Sequence, residues 1–212
     1  MSETIYTVGH STHSLERFID LLKQQSIAVV CDVRSKPYSR VNPQFNREHL
    51  KDSLAKASIK YLFLGRELGA RTDDRNCYCN GKVQYELLAK TEPFKEGIDR
   101  VLKGAQEFRI ALMCAEKEPL DCHRTILVSR ALADRGMQIT HILGDGRTED
   151  HSNALKRLVK ILRLPSSDMF RSEETVIQDA YAKQAQQIAY QLETSDGVPP
   201  VGQERQNLSG EF

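Results

Sequence analysis

Apolar positions along the chain fall into two alternating kinds of run. Short aliphatic blocks at Ile5 to Val8, Ile27 to Val33, Ile59 to Leu64, Phe108 to Cys114 and Gln138 to Leu143 have the length and flanks of buried strands. Between them the apolar residues recur at helical spacing. Ser14 caps a helix that buries Leu15, Phe18, Ile19 and Leu22, and Leu50 and Leu54 line a helix around Asn46 to Ala57. A short helix is expected around Tyr85 to Lys90. A longer one over Pro93 to Ala105 has proline in its first turn and buries Phe94, Ile98, Val101 and Leu102, and a last one runs from about Ser152 to Leu162. Strands alternating with helices predict an α/β fold: one three-layer domain, a mostly parallel sheet of about five strands, and helices on both faces.

The stretch Phe108 to Leu132 organises the rest. After the strand, Glu116 to Pro119 make a polar turn, and Ile126, Leu127, Ala131 and Leu132 then recur helically until Gly136. Asp121 is placed to cap that helix, which puts Cys122, His123 and Arg124 in its first turn. Unpaired amides and the positive dipole end favour anions there, and a thiol there tends toward thiolate.

Each strand candidate also ends in a polar cluster. The clusters are Gly9-His10-Ser11, Asp32-Val33-Arg34, Arg66 to Arg71, Glu116 with Cys122-His123-Arg124, and Asp145 to His151. Ligands of open parallel sheets sit beyond the carboxyl ends of the strands, so these residues are expected to converge on one rim.

The α/β domain is expected to span residues 1–164, with Pro165 at its boundary. A polar helical extension follows over 165–194, carrying a thin stripe of Val176, Ile177, Tyr181, Gln184, Ile188 and Leu192. That stripe needs its own domain or a dimer mate to lean on, which makes a homo-oligomer through this helix one expectation. Residues 195–212 lack periodicity and are expected to be disordered. Residues 72–82 are expected to form a turn-rich loop over one end of the sheet, containing Cys77 and Cys79.

Composition narrows the function classes. The 212 residues carry 30 basic and 29 acidic side chains, a net charge of +1, so the whole surface is no electrostatic trap for nucleic acid. Five cysteines without a framework, and an N-terminus that enters a strand without a secretory signal, point to a reducing, cytoplasmic compartment. No window approaches the roughly 18 apolar residues of a membrane span. Neither GxGxxG nor a Walker sequence is present, so no standard nucleotide cofactor is expected.

The motifs TVGHS, DVRSKPYSR followed by Phe45-Asn46, Leu68-Gly69, Tyr85 with Thr91 and Phe94, LMCAEKEPLDCHR and HILGDG resemble, in order and spacing, the bacterial and archaeal domain of unknown function 488. The resemblance covers roughly residues 4 to 151. It implies a small intracellular α/β domain with a shared polar site, and carries no agreed reaction.

Cys122 is the candidate nucleophile, with His10 or His123 moving protons; its alternative is a small residue packed where helix meets sheet. Glu116 and Asp32 are candidates for an acid and base pair. Arg34 and Arg124 are expected to bind a phosphate or carboxylate, helped by Ser11 and Arg40; their alternative is an internal salt bridge with Asp32 or Glu116. A phosphatase-like loop is not supported, because Cys114 and Arg124 are separated by nine residues. Zinc on Cys77, Cys79, Cys122 and His123 fits the usual ligand spacing poorly, so no metal is expected. His141 lies within an apolar strand and is expected in the core, whereas His13, His49 and His151 are expected at the surface. Together these features suggest an enzyme acting on a phosphate-bearing substrate, a nucleotide or nucleic-acid end. The alternative is a noncatalytic nucleic-acid or nucleotide-binding module using the same arginines.

Overall fold

Strand β6 (Ile110–Cys114) is buried at every position and holds the middle of the sheet. Its neighbours are β1 (Thr4–Gly9) and β2 (Val29–Asp32), with β3 (Lys60–Phe63) outside β2 and β7 (Gln138–Ile142) outside β1. These five strands are all parallel, and β8 (Thr148–Asp150) pairs antiparallel with β7 to close the six-stranded order β3-β2-β6-β1-β7-β8. The computed structural model describes residues 4–165 and 171–192. The expected disordered tail, 195–212, lies outside them.

Strand alternation divides the core into two layers. Ala111 and Met113 of β6 face Phe18, Leu21 and Leu22 of α1 (Leu15–Gln24) and Leu50 and Leu54 of α2 (Arg47–Lys56). Ile110, Leu112 and Cys114 face the opposite layer. It is built by α3 (Tyr85–Leu88), α4 (Glu92–Ala105), a helical run over 123–133 that ends in α5 (Arg130–Ala133), α6 (His151–Ile161) and α7 (Glu173–Ile188). Local chemistry sets the helix starts. Ser14 accepts from the Arg17 amide and Thr91 from the Phe94 amide, each satisfying a donor of the first turn.

Three features have no apolar signature in the sequence. Strand β8 is Thr-Glu-Asp, stabilised as an edge by pairing with β7. Strands β4 (Tyr78–Cys79) and β5 (Lys82–Val83) form a small hairpin where only a loop was expected, and Cys77 beside it is buried in the core. His151, expected at the surface, is 7% exposed. It joins a buried chain in which Thr7 Oγ1 meets His141 Nδ1 (2.8 Å), His141 Nε2 meets His151 Nδ1 (3.0 Å) and His151 Nε2 meets Tyr181 Oη (2.7 Å).

Tyr181 belongs to α7, so the polar extension docks on its own domain, burying Val176, Ala180, Tyr181 and Gln184. Gln184 Nε2 donates to Leu120 O (3.0 Å) and Asp121 Oδ1 (3.2 Å), clamping the turn ahead of Cys122. Beyond α7, Leu192 N donates to Gly81 O (2.8 Å) and Val83 N to Tyr190 O (3.0 Å), tying the segment to the hairpin. Gln184→Ala is expected to lower stability by about 1–2 kcal/mol, since it leaves the buried Leu120 carbonyl without its donor. Urea unfolding checks this, and an unchanged midpoint would show the clamp to be slack. Among the described residues no helix is long and apolar enough to cross a membrane.

Candidate active site

The carboxyl ends of β2, β6 and β1 lie side by side, so their following loops share one rim. His10 N donates to Cys114 O (2.9 Å), Ser11 N to Ala115 O (2.9 Å) and Val33 N to Met113 O (3.0 Å), carrying the strand ladders into the loops. Residues distant in sequence form two adjoining networks here.

The first network braces the rim. Asp32 Oδ1 accepts from Arg34 N (3.1 Å) and Nε (2.9 Å), while Oδ2 accepts from Arg34 Nη2 (2.7 Å) and Tyr61 Oη (2.7 Å). Arg34 also donates to Phe45 O (2.9 Å), and its Nη1 lies 3.2 Å from His10 Nε2. His10 stacks on Phe45 at 4.3 Å, and its Nδ1 donates to Ser11 O (2.8 Å). That carbonyl is presented by a left-handed Ser11 backbone, φ 48°. With Nδ1 protonated, Nε2 is the acceptor for Arg34. Burial, assisted by the Arg34 charge, lowers the His10 pKa to about 4. The salt-bridge alternative for Arg34 is therefore the observed arrangement. Asp32, His10 and Ser11 are engaged in it, and Arg40 is exposed in the loop, joined to neither network by a hydrogen bond among the described residues.

The second network holds the thiols. Pro119–Asp121 form a 3-10 turn capped by Glu118, not a helix start capped by Asp121. Cys122 is extended (φ −135°, ψ 138°), and helical structure begins at His123, with a π-helical stretch over Arg124–Ser129. Cys122 is thus itself the cap, its Sγ accepting from Arg124 N at 3.4 Å. The 3-10 turn over Pro119–Asp121 takes up Asp121, so the run that follows starts one residue later than expected.

Cys122 Sγ donates to Glu116 Oε2 at 2.9 Å. Glu116 is an exposed residue whose carboxylate end turns in to the sulfur. Burial of that end, with the Cys122 charge, raises its pKa. His123 Nε2 donates to Val33 O (3.0 Å), leaving Nδ1 to face Cys114 Sγ (3.7 Å) and Cys122 Sγ (3.9 Å). Cys114, absent from the expected site, belongs to it. Of the two thiols Cys122 ionises first: burial opposes this, but the Cys114 thiol, Arg124 and His123 outweigh it, while burial and the Cys122 sulfur push Cys114 up. Tyr85 borders the same group. Its phenol pKa is raised by burial and by these neighbours, and it lines a cavity of about 560 Å³ between α3, the π-helical stretch and α7.

Arg124 is fully buried. Its Nη1 donates to Glu116 O (2.8 Å), whereas Nε and Nη2 have no acceptor among the described residues. Beside the rim, the loops after β2 and β3 form a groove of about 680 Å³ presenting Lys36, Arg66, Arg71 and Arg75 together with Asp73 and Asp74. None of the four basic residues is in an ion pair among the described residues. Arg71 stacks on Tyr190 of the segment after α7, at 4.3 Å.

Comparison with protein families decides membership. The model of the domain of unknown function DUF488 matches residues 14–131, more than half of the chain. The chain belongs to the DUF488 family. The matched span holds both networks except His10 and Ser11, and takes in β2, β6, the thiol pair and Arg124. The extension carrying α7, with its clamp on the Cys122 turn, lies outside it. No curated protein and no solved structure matches the chain.

Proposed function

We propose that this DUF488 protein is an enzyme acting on a phosphate-bearing substrate, a nucleotide or nucleic-acid end, at the rim formed by Glu116, Cys122, His123 and Arg124. The supporting observation is the Arg124 guanidinium, which is buried with two donor nitrogens lacking acceptors. A buried charged donor left unpaired costs about 1–3 kcal/mol, and an anion supplies the missing acceptors. Glu116, in contact with Cys122 and open to solvent, is the group placed to exchange a proton with a substrate.

Ligand protection tests this reading. Inorganic phosphate or a nucleoside monophosphate at about 100 times its Kd should stabilise the wild-type chain by about 2.7 kcal/mol, and Arg124→Lys, which keeps the charge but loses the planar fork, should abolish most of that gain. Equal protection of both chains, or none of either, overturns it.

The groove of Lys36, Arg66, Arg71 and Arg75 favours a second reading, a noncatalytic nucleic-acid-binding module. Salt separates the two: four phosphate contacts weaken binding by a log–log slope of about −3 to −4 in salt concentration, and a small substrate held by Arg124 lacks that steepness.

A further inference from the structure

The trio Cys114, Cys122 and His123 is arranged around a common point. Their donor atoms all lie within 4.8 Å of one another, and all three residues are buried. His123 has one ring lone pair to offer, on Nδ1, yet two sulfurs face it at nearly equal distances, 3.7 and 3.9 Å. The Cys122 proton is directed at Glu116, so only the Cys114 thiol is left to donate to Nδ1, and both separations lie at the long end of the sulfur hydrogen-bond range. They are close to a different length. With metal–sulfur bonds of about 2.3 Å and metal–nitrogen bonds of about 2.0–2.1 Å, the sulfur-to-nitrogen edge of a tetrahedron is about 3.6 Å.

The surroundings point the same way. A ligating histidine characteristically donates its other ring N–H to a carbonyl or carboxylate, which fixes its tautomer, and His123 Nε2 does so to Val33 O at 3.0 Å. The Arg124 amide directed at Cys122 Sγ (3.4 Å) is the kind of donor that supports a metal-bound thiolate. Glu116 Oε2 lies 2.9 Å from the same sulfur but outside the cluster that the three donor atoms form. The spacing Cys114, Cys122, His123 hides the site from sequence motifs, because the first ligand ends a strand and the other two begin a helical run.

We propose that Cys114, Cys122 and His123 bind one thiophilic divalent ion of the zinc class. Two thiolates neutralise the ion, and soft sulfur with imidazole selects zinc-like metals over magnesium or calcium. Cys122 is then a ligand, not the attacking group. The inference goes beyond the phosphate-substrate reading and stands without it.

Metal content of the full-length protein, expressed with zinc and desalted under reducing conditions, is the direct test. One equivalent of zinc per chain is expected. Exchange into Co²⁺ should give intense tetrahedral d–d bands and sulfur-to-cobalt charge transfer. Cys114→Ser and His123→Gln should each weaken Zn²⁺ binding by at least about 100-fold, whereas Cys79→Ser, at an exposed thiol outside the trio, should bind normally. Should the trio variants fail to fold, the wild-type Co²⁺ spectrum still decides, since it reports the sulfur ligands directly. Negligible zinc together with no charge-transfer band at excess Co²⁺, or equal loss in Cys79→Ser, overturns the proposal. Zinc bound without phosphate protection defeats only the substrate reading, and phosphate protection in a metal-free chain defeats only this one.

Discussion

Between pH 7 and pH 4, proton uptake by His10 and His151 is expected to withdraw about 6 kcal/mol of folding stability. His10 and His151 each fall from an ordinary 6.5 to about 4 in the fold, chiefly through burial. His141 is lowered as well, by burial and by the nearby His151, Arg124 and Arg157. The hydrogen bonds explain why a second proton is refused. In the Thr7–His141–His151–Tyr181 chain each imidazole uses one nitrogen as donor and the other as acceptor, whichever way the chain runs. In His10, a proton on Nε2 would meet the Arg34 guanidinium, although Asp32 and Glu116 partly offset this. The unfolded chain takes up these protons near pH 6.5 and the folded chain only near 4. Stability is therefore complete above pH 6.5 and drains away as pH falls toward 4. The fall from 6.5 to about 4 corresponds to about 3 kcal/mol at pH 4 for each of His10 and His151. The raised Glu116 carboxyl and the raised His123 imidazole work in the opposite direction, two groups against these three histidines. Urea midpoints measured from pH 8 to pH 4 should be flat to about pH 6.5 and then fall steeply. A midpoint level down to pH 4.5 would mean that these imidazoles accept protons without disturbing the fold.

Gly9→Ala is expected to cost about 3 kcal/mol or more and to disable the rim. A Cβ at Gly9 would lie 1.9 Å from Glu116 O and 2.9 Å from its carbonyl carbon. No rotamer change relieves a clash with main chain, so either β1 or the segment after β6 must move, and overpacking of this kind typically costs about 1–3 kcal/mol before strand pairing is disturbed. The same carbonyl holds Arg124 Nη1, and Arg124 Nη2 lies 3.3 Å from the added atom. The substitution therefore strikes Glu116 and Arg124 together. The thermal midpoint should drop by about 10 °C for a chain of this size, and phosphate protection should disappear. Gly65→Ala, where the Cβ would lie 2.0 Å from Arg34 O, strikes the bracing network and serves as comparison. Wild-type stability in Gly9→Ala would mean that the approach of Glu116 to β1 is adjustable and that the rim is not rigidly set.

The expectation of convergence at one rim followed from strand ends whose residues are too polar for a core, and β2, β6 and β1 do lie adjacent. The roles within the rim did not follow as readily. Asp32 and Arg34, two residues apart after a strand, are close enough to pair with each other, and Tyr61 and Phe45 complete that pairing from elements far along the chain. Cys114 read as the apolar end of a buried strand, which it also is; only the return of the chain through the 3-10 turn brings His123 back over it. His151 read as a surface residue because its partner, His141, lies ten positions away on a different element, and Tyr181 thirty away on the extension.

Apolar periodicity and capping residues were enough to specify the α/β layers, the five parallel strands and the segment bearing the thiols, because period and turn chemistry are local properties of the backbone. Which polar groups neutralise one another, which sulfur joins which imidazole, and that Arg124 is left with idle donors were decided by packing. Those outcomes depend on sub-ångström approach between strands and loops that share no sequence neighbourhood, such as the carbonyl of Glu116 resting on a residue without a side chain at position 9.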